Sequence, residues 1–256
     1  MSRRAARIAD NLAALRQRVA NAASESGRTA NDITLIAVTK YVDADLAAAV
    51  VEAGCLDLGE SRPQELWAKA AALAAGKDSS DTGASGAASG TATARDPVVR
   101  WHLVGHLQRN KIRRTLPLVD LIQSVDSRRL LLAVNEEAAQ LGRNVRVLLE
   151  ANVTGDASKT GLPPDEVEPL VADAQQWPHV SIRGLMGMAT RTGGEDTAQR
   201  DFEQLRMLRD RLAANAPPNV ALDELSIGMS GDFETAIRCG ATMVRIGSAL
   251  FEGLDP

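Results

Sequence analysis

The chain has 256 residues, 45% of them hydrophobic, 3% aromatic and 24% charged, enough for one large domain or two small ones. Its formal net charge of -4 at pH 7 argues against a protein whose main task is to grip nucleic acid. No apolar stretch is long enough to cross a bilayer, and Met1-Ser2-Arg3-Arg4 lacks a following apolar signal core, so a cytoplasmic protein is expected.

Ala5, Ile8, Leu12, Leu15, Val19 and Ala22 recur at alternating spacings of three and four, which predicts a helix over 3–25 with one apolar stripe. Ser26-Gly27-Arg28 supplies its stop. A repeated grammar then begins. Short apolar runs at 33–38, 55–58, 99–104, 121–124, 145–151, 180–186, 222–227 and 243–246 read as strands. Helical patterns lie between them: 43–53, 63–75, a basic segment from Gln108, 128–141, one opening at Pro163-Pro164, one carrying Phe202, Leu205, Leu208 and Leu212, and one from Asp232. Several strands are continuously apolar, as strands covered on both faces must be. Eight successive strand–helix units predict an α/β fold, a closed (β/α)8 TIM barrel spanning 1–256 as a single domain with an extra N-terminal helix. A doubly wound open sheet is the alternative, disfavoured because no Gly-rich fingerprint follows the first strand. The segment 76–96 is rich in Gly, Ala, Ser, Thr and Asp and is expected to be a flexible insertion on the face opposite the active site.

In such barrels chemistry gathers where strands end. The first strand closes as Leu35-Ile36-Ala37-Val38-Thr39-Lys40, an amine at the mouth of an apolar strand and so a candidate for attack on a carbonyl. Taken alone, Lys40 also reads as the point where a buried strand meets water. Ser230 and Gly231 sit where a helix begins, and Gly247 and Ser248 follow the eighth strand; together they suit a phosphate cradle, although two capped turns would look alike. A lysine plus a phosphate cradle fits pyridoxal 5′-phosphate (PLP), which carries an aldehyde at one end and a phosphate at the other. Arg245, just before the cradle, is placed to donate to the pyridine nitrogen and to disfavour its protonation. That suits a holder of the cofactor or a racemase better than a transaminase. Asn152 after the fifth strand and Met186 at the end of the sixth complete the candidate cofactor-binding set. A Schiff-base aldolase acting on a sugar phosphate is the reading without the cofactor.

No metal site is expected. His102 and His106 lie four residues apart on a strand, roughly 13 Å, too far to chelate one ion side by side. His102 reads equally well as an inward-facing residue held by hydrogen bonds. Cys55 and Cys239 form no zinc or redox spacing and read as small buried hydrophobes. No nucleophile elbow, phosphate-binding Walker loop or zinc-protease motif occurs.

Six motifs taken together are specific: Ala37-Val38-Thr39-Lys40, Gly59-Glu60, Trp101-His102-Leu103-Val104-Gly105-His106-Leu107-Gln108, Gly184-Leu185-Met186, Gly228-Met229-Ser230 with Asp232, and Val244-Arg245-Ile246-Gly247. On these the chain resembles the pyridoxal phosphate homeostasis protein family over nearly all of 3–253. The resemblance implies an alanine-racemase-like barrel with Lys40 as the Schiff-base lysine. It also implies phosphate contacts from Ser230, Gly247 and Ser248, and Arg245 at the ring nitrogen. It implies a carrier that binds and delivers PLP, with PLP-dependent apo-enzymes as partners, no robust turnover, and a monomer or weak dimer. Ser61 stands where the family usually has Asn, and Ser248 where Thr is frequent. An amino-acid racemase of the same fold is the alternative. It would need a second acid/base facing Lys40, whereas only 251–256 follow the eighth strand and Tyr41 is expected to point to the other side of its strand.

Overall fold

The computed structural model describes residues 2–78, 98–156, 159–190, 192–217 and 220–254. Eight strands alternate with helices: β1 (Thr34–Val38), α2 (Ala44–Glu52), β2 (Asp57–Glu60), α3 (Pro63–Asp78), β3 (Arg100–Leu103), α4 (Ile112–Thr115), β4 (Leu121–Val125), α5 (Arg128–Gln140), β5 (Val145–Glu150), α6 (Pro164–Ala172), β6 (Val180–Met186), α7 (Gly194–Ala214), β7 (Glu224–Met229), α8 (Phe233–Arg238) and β8 (Met243–Ile246), preceded by α1 (Arg3–Glu25). Neighbouring strands pair in parallel in chain order, and β8 closes on β1 from Thr34↔Met243 to Ala37↔Ile246. The expected (β/α)8 barrel is therefore the fold.

Local chemistry explains the elements. Ser2 caps α1 by accepting from the Ala5 N–H at 3.1 Å, and the stripe of Ile8, Leu12, Leu15 and Val19 is buried. That stripe packs α1 against α8 and α2. Asp43 accepts from the Leu46 N–H at 2.8 Å and starts α2 close behind β1. The shell between strands and helices is one continuous apolar core, while Ile36, Leu121, Leu148, Met186 and Met243, from five different strands, form a second cluster inside the barrel. Gly184 allows β6 to reach β7: a Cβ there would lie 1.8 Å from the Glu224 carbonyl oxygen.

Two boundaries differ from expectation. The basic segment from Gln108 becomes a single 3-10 turn (Arg109–Lys111) and a four-residue α4, because Pro117 has no N–H to continue the helix's hydrogen-bond ladder. The helix expected to end at Ala75 runs to Asp78. From residue 79 on, the insertion expected at 76–96 lies outside the described residues. Cys55 and Cys239 are free and buried, and burial pushes the Cys55 thiol up to about 11. No described helix is long and apolar enough to cross a membrane.

Candidate cofactor site

A cavity of about 570 Å³ opens at the C-terminal ends of the strands, lined in part by Lys40, Ser230, Gly247, Ser248 and Arg245. The residues after β1, β7 and β8 thus meet in one place. Val38, Val104, Met188 and Met229 add an apolar wall. A larger, polar depression of about 790 Å³ lies among α1, α7 and α8. Its charges already answer one another, Arg18 with Glu234 and Arg238 with Glu25 and Glu195, so it offers less to a ligand.

Lys40 is exposed, in a turn two residues past the end of β1. The turn closes when the Val42 N–H donates to the Thr39 carbonyl at 3.1 Å. Strand alternation no longer applies there, which corrects the expected orientation of Tyr41. Its ring lies 4.7 Å from the Lys40 ammonium and is 86% exposed. The backbone entering this turn is anchored underneath. Thr39 N–H donates to the Gly59 carbonyl at 2.9 Å, and Thr39 Oγ1 donates to Glu60 Oε1 at 2.8 Å. Lys69 Nζ donates to the Thr39 carbonyl at 2.7 Å and pairs with Glu60. Thr39, Glu60 and Lys69 are all buried. Sequence reasoning placed Glu60 on the barrel rim but missed Lys69. The available signal was a lysine three residues after Leu66, on the inner side of α3.

The loops after β7 and β8 are clipped together by one hydroxyl. Ser230 Oγ accepts from the Gly247 N–H at 3.2 Å and the Ala249 N–H at 3.3 Å. Gly247 adopts φ -117 and ψ -83, outside the regular helix and strand regions. A Cβ at Gly231 would meet nothing, so the backbone there stays open to a bulky group. Asp232 Oδ1 accepts from the Met229 N–H at 2.6 Å and holds the turn; burial pushes its carboxyl up, against the pull of Arg245.

Arg245 is buried, and burial lowers its pKa to about 10, partly offset by Asp232 and Glu150. It therefore remains a cation at neutral pH. Nη1 donates to the Ser226 carbonyl and hydroxyl at 2.8 and 2.7 Å, and Nη2 to the Gly187 carbonyl at 2.9 Å. Those partners are neutral oxygens, which hold the guanidinium without neutralising it. Glu150 is buried as well, its carboxyl pushed up by desolvation despite the bond from Thr160 Oγ1.

Two candidates stand apart from the cavity wall. Asn152 spends its amide on its own loop: Oδ1 accepts from Thr154 N–H and Oγ1, and Nδ2 donates to the Asp156 carbonyl at 2.9 Å. Met186 is 1% exposed inside the barrel. Strand alternation points it at the interior, and Met188, two residues on, lines the cavity instead. His102 does face inward, held by Asp57 and Gln123, whereas exposed His106 bonds Asp126 at 2.9 Å. No group of three or more potential metal ligands occurs among the described residues.

Known proteins match this architecture. The model of the alanine racemase N-terminal domain covers residues 7–255. A pyridoxal phosphate homeostasis protein of Pseudomonas aeruginosa is 34% identical over 97% of this chain and 96% of its own length. One from Escherichia coli K12 is 32% identical over 97% of each. Among solved structures, an unknown protein from Bifidobacterium adolescentis superposes with a TM-score of 0.86 at 37% identity, covering 98% of this chain and 96% of that one. PipY of Synechococcus elongatus, solved with PLP bound, superposes with a TM-score of 0.78 at 33% identity, covering 95% and 99%. An alanine racemase from Clostridium difficile, at 15% identity and a TM-score of 0.65, shares the fold over 94% of this chain and 56% of its own length. The chain belongs to the pyridoxal phosphate homeostasis protein family, built on the alanine racemase N-terminal domain.

Proposed function

We propose that this protein binds pyridoxal 5′-phosphate in the cavity at the C-terminal mouth of the barrel, holds it reversibly through Lys40, and serves PLP homeostasis and delivery to apo-enzymes. The observation that carries the reading is the convergence of Lys40, the Ser230-clipped loops and Arg245 on one cavity from three separate strands. The donor set fits the ligand: a primary amine for an aldehyde, hydroxyls of Ser230 and Ser248 for a phosphate, and an apolar wall for a ring. The related PipY, solved with PLP bound, supports the same assignment.

When bound, the cofactor supplies an aldehyde that condenses with a primary amine and a pyridine ring that withdraws electrons. Lys40 provides the covalent hold, and its exposed position at the rim leaves it within reach of a competing amine. Arg245, which remains cationic, would face the ring nitrogen of a bound cofactor, where it would disfavour protonation of that nitrogen and weaken the ring as an electron sink. Tyr41 lies on the Lys40 ammonium and does not face it across the cavity, whereas a two-base racemase requires opposed groups. These features favour holding over turnover.

Incubation of the purified protein with PLP should give a yellow visible band, and borohydride should fix the cofactor to Lys40. Lys40→Ala should lose the fixed label while retaining weaker, phosphate-dependent binding. A wild-type protein that stays colourless sinks the proposal. Racemisation of free amino acids well above the rate with PLP alone would replace the carrier reading with the enzyme one.

A further inference from the structure

Five buried polar side chains form a line through the barrel, from Arg245 at the cavity to Asp57 at the start of β2. Arg245 Nη1 donates to Ser226 Oγ at 2.7 Å, and Ser226 Oγ donates to Gln123 Oε1 at 2.7 Å. Gln123 Nε2 lies 3.1 Å from His102 Nδ1, and His102 Nε2 lies 3.0 Å from Asp57 Oδ1. Ser226 and Gln123 are 0% exposed and His102 2%. The residues come from β8, β7, β4, β3 and β2, and the Gln123–Ser226 bond joins β4 to β7 across the interior of the closed barrel.

Chemistry sets the direction of every bond. Asp57 is buried, which raises its pKa, but hydrogen bonds from His102 and Arg100 outweigh this and hold it at about 2. It is therefore a carboxylate that only accepts, and His102 presents Nε2–H to it. The Gln123 amide nitrogen faces Nδ1 at 3.1 Å, so Nδ1 accepts its proton and the ring's own N–H stands on Nε2. A second acceptor confirms that amide orientation, because the Met243 sulfur lies 3.8 Å from the same nitrogen. The Gln123 carbonyl oxygen must then face Ser226 and take its hydroxyl proton. The lone pairs of Ser226 Oγ are left facing the guanidinium.

We propose that Ser226, Gln123 and His102 are positioning residues for Arg245, a one-way relay from the Asp57 carboxylate that locks the Ser226 hydroxyl as an acceptor and so seats the guanidinium against the cofactor ring nitrogen. This rests on the reading of the cavity as a PLP site. Apolar residues fill the neighbouring layer of the barrel, Ile36, Leu121, Leu148, Met186 and Met243, and would fill this one without the desolvation cost of five polar groups. If the line merely satisfied its own members, its loss would lower stability without reaching Arg245.

The test is a double-mutant cycle on the full chain, titrated with PLP and read from the visible band. Gln123→Met and Ser226→Ala should each weaken PLP binding by about 5- to 30-fold and shift the band. In an Arg245→Lys background, Gln123→Met should change affinity by less than about twofold. Folded variants whose effects multiply with that of Arg245→Lys, or a Gln123→Met protein with wild-type affinity and band, overturn the relay. Nitrogen-15 NMR of the protein without PLP gives a readout independent of the variants' folding. His102 should carry its proton on Nε2, and an Nδ1–H tautomer in the wild type overturns the relay. A wild type with no visible band sinks the cofactor reading, whereas a normal band with uncoupled variants sinks the relay alone.

Discussion

Removing Lys69 tests how the Lys40 turn is held. Lys69 Nζ is bonded both to the Thr39 carbonyl and to Glu60, and neither Thr39 nor Glu60 has any exposure to water. Lys69→Met keeps the length of the stem but leaves a carboxylate buried without its cation and a carbonyl without its donor. Glu60 Oε2 already lacks a hydrogen-bond partner, so little local reserve exists to absorb the charge. Breaking a buried pair from one side costs about 3–5 kcal/mol. In urea, a slope of about 2 kcal/mol/M turns that into a midpoint lower by roughly 1.5–2.5 M. The double variant Lys69→Met/Glu60→Leu should recover most of the loss, because no charge is then buried alone. PLP labelling at Lys40 should fall in the single variant even below the urea transition, since the carbonyl before Lys40 has lost its anchor. A single variant that costs under about 1 kcal/mol, or a double variant less stable than the single, would refute the reasoning.

Three further outcomes are expected. Asp57 falls from an ordinary 3.8 to about 2 in the folded protein, so the stability it contributes is present above pH 4 and lost as pH falls through about 2; Asp57→Asn should flatten the acid-unfolding curve over that window, followed by circular dichroism. Leu12→Ala empties a fully buried position beneath α1 and should cost about 2–5 kcal/mol in chemical denaturation, with the PLP band unchanged once the protein is folded. Gly184→Ala drives a Cβ against the Glu224 backbone and should cost at least the upper end of about 1–3 kcal/mol, read as a lower melting temperature or loss of soluble protein.

Barrel topology and most of the rim were legible because they depend on local periodicity. The apolar stripe of α1 and the eight short apolar runs are patterns of neighbouring residues, and each became the expected element. Lys40, Ser230, Arg245, Gly247 and Ser248 were identified because strand ends in such a barrel share one face, and these residues do line one cavity. Asn152 and Met186 met the same criterion and still lie off the cavity wall. Position along a strand fixes depth, but side-chain direction depends on pleat and loop path, which turned Met186 inward and closed Asn152 on its own loop.

By itself the sequence determined an alternating strand–helix chain with an amine, two Ser/Gly turns and a guanidinium at strand ends, because those features are written within a few residues. Only the tertiary structure decided what stands behind them. Lys69 reaches Glu60 and Thr39 from the next helix, and the line from Asp57 and His102 through Gln123 to Ser226 and Arg245 crosses from β4 to β7, strands that meet only inside the closed barrel. Buried polar groups must find partners wherever the fold brings them, and no local pattern records which distant residue that will be.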